Sequence, residues 1–161
     1  MFKKIFQATS LGLLWISIVV FLVDWGSKSL ANTHLSPYVP QPIFPSFNLT
    51  LAYNTGAAFS FLDNASPWSN LLFGAIALGV SGVILVWLAR LPRSEKCLNI
   101  GLTLILGGAL GNLWDRFRYA HVIDFIDLYV GAWHWPVFNV ADLAVSLGAF
   151  LVVWYWIHIK K

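Results

Sequence analysis

Seven acidic residues are where this chain could do chemistry, and their spacing sorts them. Asp142 follows Asn139 by three positions in Pro136-Val-Phe-Asn-Val-Ala-Asp142, so a helix beginning there takes Asn139 as N-cap and Asp142 as its third residue. Capping alone would explain both in a soluble protein. In a membrane the stripe continues through Ser146, which directs the carboxylate into a bundle, and the positive helix end suits a carboxylate there. A second stripe runs through Gly108, Asn112 and Asp115 at i, i+4 and i+7, with Arg116 beside it; the glycine admits a neighbouring helix and the polar groups face that helix. Asp24 and Lys28, spaced i, i+4, would meet on one helix face. Two aspartates held together at low dielectric cannot easily both ionise, so a shared proton is expected. One then serves as base toward a water while the other, protonated, polarises a carbonyl. Asp142 is the strongest candidate, and spacing leaves Asp124 and Asp127 both open as its partner.

These groups need elements to position them. The chain of 161 residues is 58% hydrophobic and 11% charged, against about a quarter charged in ordinary soluble domains. With a mean hydropathy of +0.72 it reads as an integral membrane protein, and 9 Trp, 12 Phe and 5 Tyr exclude disorder. The length suits a single domain. Uncharged stretches run from Ile5 to Val23, Asn64 to Ala89, Cys97 to Trp114 and Leu143 to Ile159, each near the roughly 20 residues that cross a bilayer as a helix. Extended past their flanking acids, they predict spans near 8–30, 67–89, 97–116 and 139–159.

Lys and Arg orient the spans. Lys3, Lys4, Arg90, Arg93, Lys96, Lys160 and Lys161 fall on one side with a single acid, Glu95; Lys28, Arg116 and Arg118 share the other side with six aspartates. Both termini are therefore expected in the cytoplasm. The basic balance reflects topology, and no nucleic-acid partner is expected. A competing reading makes the N-terminus a cleavable signal peptide, with Lys3 and Lys4, an apolar run from Leu11 to Val23, and a cleavage site at Ser29-Leu30-Ala31. Cleavage would discard Asp24 and Lys28, which argues against it.

Outside the spans, three prolines in Ser36-Pro-Tyr-Val-Pro-Gln-Pro forbid a helix. Phe47 to Asn54 then alternates, with Phe47, Leu49, Leu51 and Tyr53 on one face and Asn48, Thr50, Ala52 and Asn54 on the other. A short sheet over about 43–61 is expected to lie on the outer membrane face. Residues 117–138 are expected as an extra-membrane loop whose Trp133 and Trp135 form part of an interfacial belt. His121 and His134 lack metal-ligand spacing with each other and read as ordinary loop histidines. The lone Cys97 excludes a disulfide framework or a Cys-based zinc site. Three functions fit: an aspartyl hydrolase at the outer face, a proton-coupled carrier, or a non-catalytic scaffold. Carriers place acids near the midplane, within broken helices or repeats; here the acids other than Glu95 gather at or beyond one boundary, which favours surface chemistry.

Five motifs, in order and spacing, resemble those of the bacterial lipoprotein signal peptidases (signal peptidase II). They are Asp24 with Lys28, Asn54-Thr-Gly-Ala-Ala-Phe59, Gly107-Gly-Ala-Leu-Gly-Asn-Leu-Trp-Asp-Arg116, Val122-Ile-Asp-Phe125 and Phe138-Asn-Val-Ala-Asp142. The resemblance implies a mainly α integral membrane enzyme of four transmembrane helices with a small periplasmic β-cradle. It implies an aspartyl endopeptidase of the inner membrane, its active site facing the periplasm, cutting prolipoproteins just before the diacylglyceryl cysteine. Asp124 and Asp142 match the catalytic positions, which selects Asp124 over Asp127. Asn54, Asn112, Arg116 and Asn139 match positions lining the substrate pocket; Gly108 and Asp115 match supporting positions, and Asp24 and Lys28 a structural or orienting pair. An apolar groove between spans, open to lipid, would receive the lipid-anchored substrate. No metal or organic cofactor is implied; membrane lipid and globomycin-type cyclic peptide inhibitors are the other expected partners, and the enzyme is expected to act as a monomer. Two positions depart from the pattern: Trp114, where a smaller aliphatic residue is common, and Leu143, where Ser is common.

Overall fold

The computed structural model describes residues 10–56 and 67–159. A 3-10 turn (Ser10–Leu13) leads into helix α1 (Leu14–His34), followed by strands β1 (Gln41–Phe44) and β2 (Phe47–Asn54). Helices α2 (Pro67–Arg90) and α3 (Lys96–Tyr119) come next, then β3 (Val122–Val130), β4 (Trp133–His134) and α4 (Val140–Trp154), which continues as a π-helical turn, Tyr155–Ile159. The four long helices are apolar and long enough to cross a membrane. Four expected features lie wholly or partly outside the described residues: the cradle and its motif from Ala57 onward, the terminal lysines, the first residues of span 1, and Asp63.

α3 is the central helix. Half of its most apolar window is buried, against 17% for α1 and α2 and 22% for the last helix, and it has the lowest mean hydropathy of the four at 1.4. A helix that faces protein on several sides can carry polar groups that lipid would reject. Its glycines let the neighbours in. A Cβ on Gly108 would strike the Ala141 carbonyl of α4, and one on Gly111 would lie 2.5 Å from Asp24 Oδ2 of α1. Leu98, Leu102 and Leu106 of α3 pack with Ile84 and Leu88 of α2 and Tyr155 in the main apolar cluster.

The sheet is antiparallel in the order β1-β2-β3-β4. Much of the segment expected as a loop is thus strand, and β3 is the piece that carries both Asp124 and Asp127. α3 ends where Ala120 adopts a left-handed conformation, φ 62°, with its N–H donating to the Arg116 carbonyl. That placement costs a non-glycine residue about 1 kcal/mol, and it turns the chain from helix into strand within two residues. The strict alternation expected of β2 is broken: Leu49 pairs with Ile126 but Ala52 pairs with Asp124, a bulge of one residue, and Thr50 and Leu51 are both buried.

Candidate active site

β3 and α4 are tied together before any side chain is considered. The N–H groups of Phe125 and Ile126 both donate to the Phe138 carbonyl, at 3.0 and 2.8 Å, and the Phe138 N–H returns to the Ile126 carbonyl at 3.1 Å. Asn139, the next residue, is fully buried against β3. Its side-chain oxygen accepts the Asp142 N–H at 2.9 Å, and the Asp142 carboxylate accepts the Asn139 N–H at 3.3 Å, which together form the expected capping box. The other end of the same amide, Nδ2, donates to Asp124 Oδ1 at 2.6 Å. One asparagine therefore holds both carboxylates.

The remaining partners close the cluster. Asn54 Nδ2, from β2, donates to Asp124 Oδ2 at 3.1 Å, and Asn112 Nδ2, from α3, donates to Asp142 Oδ1 at 2.8 Å. Lys28 Nζ, 1% exposed, lies 2.7 Å from Asp24, 2.9 Å from Asp115 and 2.9 Å from Asn112 Oδ1. Arg116 donates to the Gly56 and Asn112 carbonyls and lies over the Phe73 ring. Burial, reinforced by the neighbouring Asp142 charge, pushes the Asp124 carboxyl up to about 7, against the opposing hydrogen bonds from Asn54 and Asn139 and the positive charge of Lys28. A proton on Asp124 near neutrality is what a pair sharing one proton requires.

Asp127, which spacing alone left as a possible partner, is spent elsewhere. The β2 bulge sends Asn48 and Thr50 to Asp127 Oδ2, at 3.1 and 2.8 Å, while Asn54 goes to Asp124. His134 Nδ1 lies 2.8 Å from Asp127 Oδ1. Burial pulls this carboxyl up as well, but the hydrogen bonds from His134, Asn48 and Thr50 outweigh it and hold Asp127 below the usual carboxylate range. His134 is therefore more than a loop histidine. His121 packs on the Tyr53 and Tyr119 rings, and burial lowers its basicity.

Two expectations shift. Ser146 is exposed, and the buried stripe of α4 runs instead through Ala141, Ala144 and Gly148, leaving Asp142 at its edge and half-buried. An apolar groove of about 680 Å³ does lie between α1, α2 and α3, lined by Phe21, Leu78, Leu106, Leu110 and Trp114 among others. Its α3 residues lie across the helix from Asn112 and Asp115 by the 3.6-residue period, so groove and carboxylates occupy opposite sides of α3. Both departures from the family pattern face outward: Leu143 is exposed, and the exposed Trp114 meets Phe21 edge-on. The site residues that the sequence did not single out are Gly111, whose lack of a side chain admits Asp24, and the Gly56 carbonyl that Arg116 engages. Among the described residues, no three His, Cys, Asp or Glu side chains gather as a metal set would.

The family model for signal peptidase (SPase) II matches residues 16–158. The chain belongs to the signal peptidase II family. A lipoprotein signal peptidase of Alteromonas mediterranea is 49% identical over 93% of this chain and 82% of its own length. One from Coxiella burnetii is 50% identical over 88% and 87%, and one from Pseudoalteromonas atlantica 46% over 93% and 92%. A bacterial membrane enzyme solved by the in meso method at 1.9 Å shares the fold, with a TM-score of 0.81 and 23% identity over 95% of this chain and 97% of that one. Membership makes this an aspartic peptidase that removes lipoprotein signal peptides, and the carrier and scaffold alternatives are not favoured.

Proposed function

We propose that Asp124 and Asp142 are the catalytic pair of this peptidase, acting on diacylglyceryl prolipoproteins just before the lipidated cysteine. The observation that carries the reading is Asn139, which caps Asp142 with one end of its amide and donates to Asp124 with the other. With one proton between them, one carboxylate takes a proton from the attacking water and later passes it to the departing nitrogen, while the other protonates the scissile carbonyl oxygen. Asn54, Asn112 and Asn139 hold the carboxylates, and Arg116 lines the approach from Gly56 and α2.

The distribution of Lys and Arg supports an orientation with both termini in the cytoplasm and the sheet and carboxylates at the periplasmic face of the inner membrane. Exposed Trp133 and Trp135 on the β3–β4 hairpin suit the headgroup level there. A single copy holds every residue of the site, which supports a monomer, and a globomycin-type cyclic peptide is the expected inhibitor. Asp124→Asn and Asp142→Asn are each expected to leave an inserted, folded protein that no longer cleaves diacylated prolipoprotein in a gel-shift assay. Near-normal cleavage by both variants would overturn the assignment.

A further inference from the structure

The ammonium of Lys28 touches neither proposed catalytic carboxylate, yet each of its three oxygen-bearing partners holds either one of them or the residue just before it. Asp24 Oδ1 accepts the N–H of Ala141 at 2.8 Å, the residue before Asp142. Asp115 Oδ2 accepts the N–H of Ile123 at 3.2 Å, the residue before Asp124. Asn112 reaches Asp142 itself. α1, α3, β3 and the start of α4 thus meet around one buried cation.

The third partner does more than hold position. An ammonium has donors only, so it accepts one orientation of the Asn112 amide, with Oδ1 toward Lys28 and the NH2 group toward Asp142. Asn139 Nδ2 also lies 3.2 Å from Asn112 Oδ1, a second donor enforcing the same choice. Asp142 Oδ1 is consequently an acceptor, and Asp142 Oδ2 already takes the Asn139 N–H at a helix N-terminus. Asp124 has no helix end and shares its Asn139 donor with the Asn112 and Ile123 oxygens. Lys28 and Arg116 face four carboxylates here, Asp24, Asp115, Asp124 and Asp142, so one of the four is best left neutral.

We propose that Lys28 is the positioning residue that makes Asp142 the base of the pair and leaves the shared proton on Asp124. The inference rests on the reading of Asp124 and Asp142 as the catalytic pair. In the reaction Asp142 takes the proton of the attacking water, whose oxygen bonds to the scissile carbonyl carbon. Asp124 gives its proton to the carbonyl oxygen; the C–N bond then breaks as the amine receives the proton held by Asp142, and Asp124 regains its own as the new carboxyl forms.

The test is the pH dependence of kcat for the full-length protein in lipid nanodiscs, with a diacylated prolipopeptide as substrate. Lys28→Met is expected to lower kcat by about a hundredfold with KM changed less than about twofold. The acid limb should move up by about one pH unit, because the ammonium no longer turns the Asn112 NH2 group toward Asp142; loss of the Lys28 charge should raise the alkaline limb as well, since that charge opposes the proton on Asp124. Lys28→Arg should bring the acid limb back toward the parent. Should Lys28→Met not fold, Asn112→Leu keeps the ion pairs of Lys28 with Asp24 and Asp115, removes the relay together with the Asn139 Nδ2 contact to Asn112 Oδ1, and should move the same acid limb. Asn54→Leu removes a donor to Asp124 and should move the alkaline limb up instead. An acid limb unmoved in the folded Lys28 and Asn112 variants, or the two asparagine variants moving the opposite limbs, overturns the proposal. Cleavage surviving in both Asp→Asn variants would instead remove the pair itself, a separate failure.

Discussion

Asp124 and Asp127 sit three residues apart on one strand, both almost fully buried, and have opposite electrostatic fates. Asp127 collects donors from Asn48, Thr50 and His134 and, among the described residues, has no second carboxylate among its partners; it is a satisfied anion. Among the described residues Asp124 has two amide donors, one of them shared, and the Asp142 charge beside it. Both are closed to solvent, but Asp124 lies deeper among protein atoms, so desolvation weighs more on it. The number of donors facing each carboxylate, and whether another carboxylate faces it, separate them further, and the one-residue bulge in β2 decides which donors go where.

The comparison can be broken most severely at Asn139, the residue that belongs to one cluster alone. Asn139→Ala should lower cleavage by about a hundredfold or more, since both carboxylates lose their common anchor. Loss of the cap should also cost α4 about 1 kcal/mol, read as a lower thermal midpoint in detergent. Next comes pH. As pH rises through about 7, Asp124 loses its proton and the pair becomes doubly charged. The cleavage rate should therefore fall on the alkaline side, approaching about tenfold per pH unit; a rate still rising well above neutrality would contradict the shared proton. The raised Asp124 value also means that folding stability declines from the ordinary carboxylate range up to that point, because the folded state binds the proton more tightly. Asp127 runs the other way: its contribution is present above the ordinary carboxylate value and is lost as pH falls through its lower folded one. The smallest effect on cleavage should come from Asp127→Asn, with activity within about threefold of the parent. The same variant should melt earlier, by about 1–2 kcal/mol of stability, and lose its acid-side stability loss.

Much of this was written in the sequence, for reasons that can be named. The helices follow from long uncharged runs, and the Asp24–Lys28 pair, the Asn139 cap and the Gly108–Asn112–Asp115 stripe follow from helical periodicity, all of them local signals. β3 was harder to see. Val122-Ile-Asp-Phe-Ile-Asp-Leu-Tyr-Val130 is rich in β-branched and aromatic residues, which favour strands. It lacks clean alternation because it is buried at most positions of its first half, and its partner β2 lies far away in the chain. The bulge was invisible for the same reason, since register belongs to two strands together. The link from His134 to Asp127 required the hairpin to close, and no spacing in the chain announces it.

The hub at Lys28 also bears on how the protein enters its bilayer. α1 is made before α3, and Asn112, whose oxygen completes the ammonium's coordination, lies 84 residues further along the chain. Until α3 arrives, Lys28 has only Asp24, one turn away on its own helix and 2.7 Å distant. That pair is self-neutralising, so a lone α1 can wait among lipids without a naked charge. The arrival of α3 then adds Asp115 and Asn112 to the pair, and a helix that was tolerable alone becomes locked to its neighbour. The same lysine that sets the site in the finished enzyme is thus the latch that tells the first helix its third has come.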